Sequence, residues 1–270
     1  MLCLAASRVA VAQTTQSPLL EWQYPGGTIL ERVYEPNLPE WRVVLGGAVV
    51  TLPLYEGASR YRIEPGPVID IRYKDIAFAT VGEGIGYNFW RGEKSQAGIS
   101  LGYDLGRKMS DDYRELRGLG DISAAPVVKI FGTMVVSKRF PLVLRADVRR
   151  IMGGADGTVG DVGFFMPLPG SSKKFVMFAG PSAMFADGRY ERREFGVSPT
   201  QSVASGLPVY FAHSGLESAG FGFSATRLIT DHWLVNTDMA AKRMFGSAGD
   251  SPITRARVQI IGELSSEYRW

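Results

Sequence analysis

The chain has 270 residues, 32 of them glycine and 11% aromatic, with 30 basic against 27 acidic side chains and a net charge of +3. So even a balance excludes the strongly basic surface of a nucleic-acid binder, and no apolar run approaches the roughly 18 residues of a membrane-spanning helix. Cys3 is the single cysteine, which excludes an internal disulfide and a thiolate metal site.

Residues 1–12 read as a truncated export signal. Met1 to Val9 is mostly apolar although Arg8 interrupts it, the basic start is missing, and Ala10-Val11-Ala12 before Gln13 fits the small-x-small cleavage rule. Met1-Leu2 is too short to make Cys3 part of a lipobox. Residues 13–40 are polar, Pro-punctuated and without period, the pattern of a flexible arm on the periplasmic side; Trp22, Tyr24 and Tyr34 are its candidate anchors.

From Trp41 to Trp270 the chain alternates apolar and polar residues between turn signals, as half-buried strands do. The expected strands are 41–54, 60–73, 76–80, 84–90, 96–107, 123–137, 142–152, 158–166, 175–186, 218–229, 232–245 and 254–270. Residues 76–90, with Gly82, Gly84 and Gly86, admit one long strand or two short ones. Parity decides: if short turns at 137–141, 167–174 and 230–231 are periplasmic and loops at 108–122, 153–157, 187–217 and 246–253 are external, two strands are required. The expected architecture is therefore an all-β, transmembrane, antiparallel up-and-down barrel of about 12 strands, with no helical segment.

Charge assigns the faces. Arg145, Asp147 and Arg149 alternate with Leu144, Ala146 and Val148; Asp70 and Arg72 with Ile69, Ile71 and Tyr73; Asp238 and Lys242 with Thr237, Met239 and Ala241. In the last strand Arg255, Arg257, Glu263 and Glu267 alternate with Val258, Ile260 and Leu264. A charge facing hydrocarbon costs about 2–4 kcal/mol near the midplane, so the charged side is the expected lumen. A soluble sandwich or lipocalin-like barrel would put the apolar side inward and needs far fewer residues.

Loop words carry a resemblance. Leu116-Arg117-Gly118-Leu119-Gly120-Asp121-Ile122, the long Phe195-Gly196-Val197-Ser198-Pro199-Thr200-Gln201-Ser202-Val203-Ala204-Ser205-Gly206-Leu207-Pro208, and shorter words at 55–62, 230–233 and 250–253 resemble the MipA/OmpV family, the MltA-interacting outer-membrane proteins. The resemblance covers about residues 43–270. It implies a cell outer membrane location in a Gram-negative bacterium, no enzymatic site and no cofactor. It also implies a scaffold that brings a lytic transglycosylase together with a murein synthase. It makes Tyr268 and Trp270 the terminal aromatic signal for barrel assembly, with Trp where Phe is commoner.

Other chemistry is weak. His213-Ser214 with Ser202, Ser205 and Asp187 nearby suits a Ser/His hydrolase only if loop geometry joins them. Asp111, Asp112, Glu115 and Asp121 offer hard oxygens for Ca²⁺ but match no EF-hand; the plainer reading is solvated charges, with Asp121 capping a turn and Arg117 paired locally. His232 belongs with Trp233 to an interfacial belt. Two function classes follow. One is a non-enzymatic outer-membrane interaction protein and the other a small-solute channel, with the 195–208 segment folding inward as a lid in either case.

Overall fold

The computed structural model describes residues 39–172 and 174–270. The expected signal and the arm as far as residue 38, including Trp22, Tyr24 and Tyr34, lie outside the described residues. Twelve strands form one closed barrel: β1 Trp41–Pro53, β2 Tyr61–Tyr73, β3 Ala77–Thr80, β4 Gly84–Arg91, β5 Ser95–Asp104, β6 Ala125–Val135, β7 Val143–Ile151, β8 Thr158–Pro167, β9 Phe175–Ala186, β10 Gly215–Leu228, β11 Trp233–Met244 and β12 Val258–Arg269. Each strand pairs antiparallel with its chain neighbours, and β1 closes on β12 from Val44↔Arg269 to Thr51↔Gly262. The two short strands demanded by parity are β3 and β4.

The pleat separates the faces as the charge pattern requires. In β12, Gln259, Ser265 and Glu267 are buried in the lumen while Val258, Ile260 and Leu264 are exposed outside. In β7, Arg145 and Asp147 are buried and Val148 is exposed. Because the pleat has a period of two, this sorting fixes the register of the whole wall.

Three differences from the sequence expectation have local causes. β5 stops at Asp104 instead of 107 because Gly106 takes φ +66° and Arg107 bridges to Ile122 alone. β10 starts earlier, at Gly215, with a bulge between Leu216 and Ser218 that leaves Glu217 fully buried. β12 starts at Val258 instead of 254, because the preceding residues cross the top of the barrel; the Arg255 and Ala256 N–H groups both donate to the Gly57 carbonyl.

Contrary to the expectation of no helix, the external loops hold short ones: a 3-10 turn Met109–Asp112, then Tyr113–Leu116, Gly188–Glu194, Pro199–Ser205 and Gly246–Asp250. None is long enough to be stable alone. Caps and packing hold them. The Asp187 carboxylate accepts from the Arg189 and Tyr190 N–H groups at 2.9 Å. Ser198 and Gln201 form a capping box around Pro199, and Gly206 ends that helix at φ +78°.

Candidate functional site

The lumen is built around buried arginines. The Arg72 Nε lies 2.8 Å from Asp70 and its Nη2 lies 3.3 Å from Glu83, whose other oxygen meets Arg145 Nη2 at 2.8 Å. Arg72 and Arg145 also lie over the rings of Phe78 and Phe131 at 5.4 and 5.2 Å, and those rings meet edge-on at 5.8 Å. Arg149 continues the network, 3.6 Å from Asp147 and in contact with Asp161. Across the barrel, Lys242 pairs with Glu56 at 2.5 Å, Asn236 donates to Asp238, and Ser265 donates to Glu267 at 2.5 Å.

Asp70, Arg72, Arg145, Asp147, Arg149, Asp238, Lys242, Glu263 and Glu267 therefore lie on the interior face as the alternation implied. Arg255 and Arg257 do not. They precede β12 and serve the external cap, Arg255 on Glu115 at 2.6 Å and Arg257 on Asp250 at 2.7 Å, both substantially exposed. Their apparent alternation continues that of β12 without belonging to its ladder. Sequence reasoning also missed interior groups. Lys129 and Asp161 occupy inward positions of strands and follow the same period; Glu83 and Glu56 sit in turns, where alternation says nothing.

Above the lumen the family loop words form an apolar cap. Leu116, Leu119, Val197, Ile253, Tyr55 and Ala58 make one buried cluster. Phe195 joins another with Tyr190, Met244 and Ala248. Polar members of the words tie the loops together. Gln201 Nε2 donates to the Leu119 carbonyl at 2.6 Å, Ser202 Oγ to Leu207 O at 2.6 Å, and Ser251 Oγ to Phe195 O at 2.6 Å. Gly118 and Gly120 take positive φ, and a Cβ on Gly118 would stand 2.5 Å from the Ala204 carbonyl carbon. Pro199 opens its helix and Gly196 leaves no room for a Cβ against the Arg192 carbonyl. These positions are packing devices of the lid.

Among the described residues the rival chemistries are not assembled into a site. Ser205 Oγ donates to Gln201 O, like Ser202 it is spent on backbone, and His213 is exposed, its backbone N–H donating to Ser247 Oγ. Among the described residues no group of carboxylates, His or Cys has metal-binding geometry. Asp112 is held by Arg60, Glu115 by Arg255, and Asp121 accepts from Met109 N–H at 2.7 Å, the turn cap expected of it. Arg117 stands exposed where local pairing was expected.

Where cap meets lumen, acidic groups crowd. Glu191 and Glu194, on the Gly188–Glu194 helix, are almost fully buried with Glu56 nearby. Burial, then Glu194 and Glu56, push the Glu191 carboxyl up to about 8. Burial raises Glu194 to about 7 against the pull of Arg107, whose Nη1 lies 3.7 Å from its carboxylate; Asp104 and Glu56 add to the rise.

The opposite rim is aromatic. Trp41 meets Tyr73 at 4.7 Å, Tyr268 meets Trp233 at 5.3 Å and Trp270 at 4.6 Å, and His232 stacks on Tyr268 at 5.5 Å. Trp270 N–H donates to Val43 O, fastening the last residue to β1.

A closed antiparallel wall that is apolar outside, charged inside and ringed by aromatics is an outer-membrane β-barrel. Residues 45–270 match the family model described as "MltA-interacting protein MipA", and the chain belongs to that family. It is a protein of the Gram-negative outer membrane. No curated protein sequence matches it. Among solved structures it is similar to the COG4313 outer membrane channel from Pseudomonas putida F1 (8% identity, 86% of this chain and 97% of that one, TM-score 0.43) and to the NanC porin (6%, 84% and 98%, 0.41). Another is the structure titled "Bacterial polysaccharide outer membrane secretin" (8%, 85% and 98%, 0.42). Scores this low carry no statement about activity.

Proposed function

We propose that the protein is a non-enzymatic outer-membrane interaction protein, anchored by its barrel and presenting periplasmic turns and the 13–40 arm to cell-wall enzymes. One observation carries this reading: the lumen is occupied by ion-paired side chains and lidded by a packed apolar cap. A cavity beside the β3–β4 tip has about 40 Å³, room for a few water molecules. The family's description, MltA-interacting protein, supports a lytic transglycosylase as one partner, and a murein synthase as the second follows from the family resemblance.

The rival reading is a small-solute channel. Purified barrel in lipid nanodiscs, titrated with a purified lytic transglycosylase of the MltA kind, should give saturable binding that weakens when 13–40 is removed. The same protein in planar bilayers should give no steady conductance. Absent binding together with pores whose ion selectivity changes on charge reversal at Arg145 and Arg149 would overturn the interaction reading in favour of transport.

A further inference from the structure

Among the described residues, the wall of the closed barrel is notched between β2 and β5 toward its external end. β3 has four residues and pairs with residues 70–73 of β2, so that side of β2 loses its partner where Val81 N–H meets Ile69 C=O at 3.1 Å. Among the described residues, 61–68 continue toward the external end with β1 as their one strand partner. On the other flank β4 reaches β5 no further than Ile85↔Leu101, while β5 runs on to Asp104 against β6.

The Val81–Ile69 bond fixes which backbone groups face the opening. In an antiparallel strand the N–H and C=O of one residue point to the same neighbour, and alternate residues share that neighbour. Residues 63, 65 and 67 therefore face the gap as Ile69 faces β3. Two of them are Pro65 and Pro67, which have no N–H to offer. Proline at these positions keeps another strand from zipping onto the edge. What remains there is mainly carbonyl oxygen, an edge that accepts hydrogen bonds and donates few.

The surroundings are apolar. Ile63, Ile85 and Leu101, on the strands bordering the gap, are 70%, 72% and 61% exposed on the outer face. Carbonyls left unpaired at hydrocarbon depth are costly, so the opening calls for a donor. Inward of its β5 flank lies the 40 Å³ cavity, bordered by the hairpin tip Gly82-Glu83, by Gly102 and Asp104 of β5, and further in by Lys129 and Arg149. A Cβ on Gly66 or on Gly102 would meet nothing within 4 Å, so the inward faces of both flanking strands are hollow. The volume takes two or three water-sized groups, the end of a head group and not a whole sugar.

We propose that this gap is a lateral lipid site: a glycerophospholipid inserts a hydrogen-bond-donating head group, ammonium or hydroxyl, through the gap into the cavity and lays its acyl chain along Ile63, Ile85 and Leu101. The site stands apart from the periplasmic interaction surface and does not depend on it.

Native mass spectrometry of the full chain released from vesicles of phosphatidylethanolamine or of phosphatidylcholine with identical acyl chains tests the proposal. About one phosphatidylethanolamine should remain per barrel, at least tenfold more than phosphatidylcholine, whose head has no donor. Gly102→Phe fills the cavity from the β5 flank and Gly66→Leu fills the open space inside the β2 flank, and each should abolish the difference while keeping heat-modifiable gel mobility as proof of folding. Ile260→Ala, on the lipid face away from the gap, should leave it unchanged. Equal retention of the two lipids, or retention unmoved in either folded variant, would overturn the site. Displacement of the lipid by free ethanolamine at millimolar concentration would overturn the lipid assignment and make the ligand a soluble amine.

Discussion

The barrel interior and the external cap solve burial in opposite ways. Inside the wall, Arg72, Glu83, Arg145 and Asp147 are buried together, and cohesion comes from ion pairs whose partners cannot be removed singly without leaving a buried charge. In the cap, Phe195, Tyr190, Leu116 and Val197 are buried as in a soluble protein, and cohesion comes from apolar area. The difference follows from the solvent outside. The wall gives its apolar side to lipid and must bury what is left, whereas the cap faces water and buries its hydrocarbon.

The largest test of this contrast is Arg145→Met. It takes from Glu83 its 2.8 Å partner and from Asp147 one of two cations, leaving Arg72 and Arg149 to hold them, and should cost about 3 kcal/mol, the low end for breaking a buried pair, read by urea unfolding in lipid vesicles; pairing it with Glu83→Gln should cost less than the sum. A loss below about 1 kcal/mol would mean a hydrated lumen, where ion pairs are weak.

On the outer face, Ile260→Arg or Leu264→Arg should cost about 2–4 kcal/mol near the midplane, and Glu263→Ala clearly less. Equal costs on both faces would turn the wall inside out.

Gly118→Ala acts on the cap alone. Its φ of +80° and the 2.5 Å approach to Ala204 predict about 1–2 kcal/mol, seen as faster amide exchange across 196–206 with unchanged barrel mobility on gels. Slowed refolding of the barrel itself would show that cap and wall form one cooperative unit.

The smallest effect is pH-dependent. The Glu191 carboxyl, held at about 8 against an ordinary 4.5, and Glu194, at about 7, favour the folded cap most below about pH 4.5, where both are neutral folded or unfolded. That stability is lost as pH rises through 7 and 8. Glu191→Gln should gain about 1 kcal/mol at pH 8, because the short rim helix can swing out and rehydrate the native carboxylate, and should gain nothing at pH 4. Amide exchange of 188–194 at the two pH values measures it; equal gains would show that the group is not buried in solution.

Much of the site's address was legible. Asp70, Arg72, Arg145, Asp147 and Lys242 declared their face because a strand alternates with period two whatever it packs against. Glu83 and Glu56 did not, since a turn residue has no face until the chain closes around it. Arg255 and Arg257 continued the alternation of β12 and still lie in the cap, because period alone cannot say where a ladder ends. The signals of the Pro199–Ser205 helix, a capping box and a glycine stop, were present, but seven residues form a helix only when a neighbour buries them.

The sequence by itself determined twelve antiparallel strands, which side of each meets lipid and which end carries the aromatics, all of it information that is periodic and local. Tertiary structure alone decided which charges pair inside the lumen, which loops pack against the 195–208 segment to complete the lid, and that the wall stays open beside Pro65 and Pro67. Each of these depends on which distant residues barrel closure brings within a few ångströms, and no spacing along the chain encodes that distance.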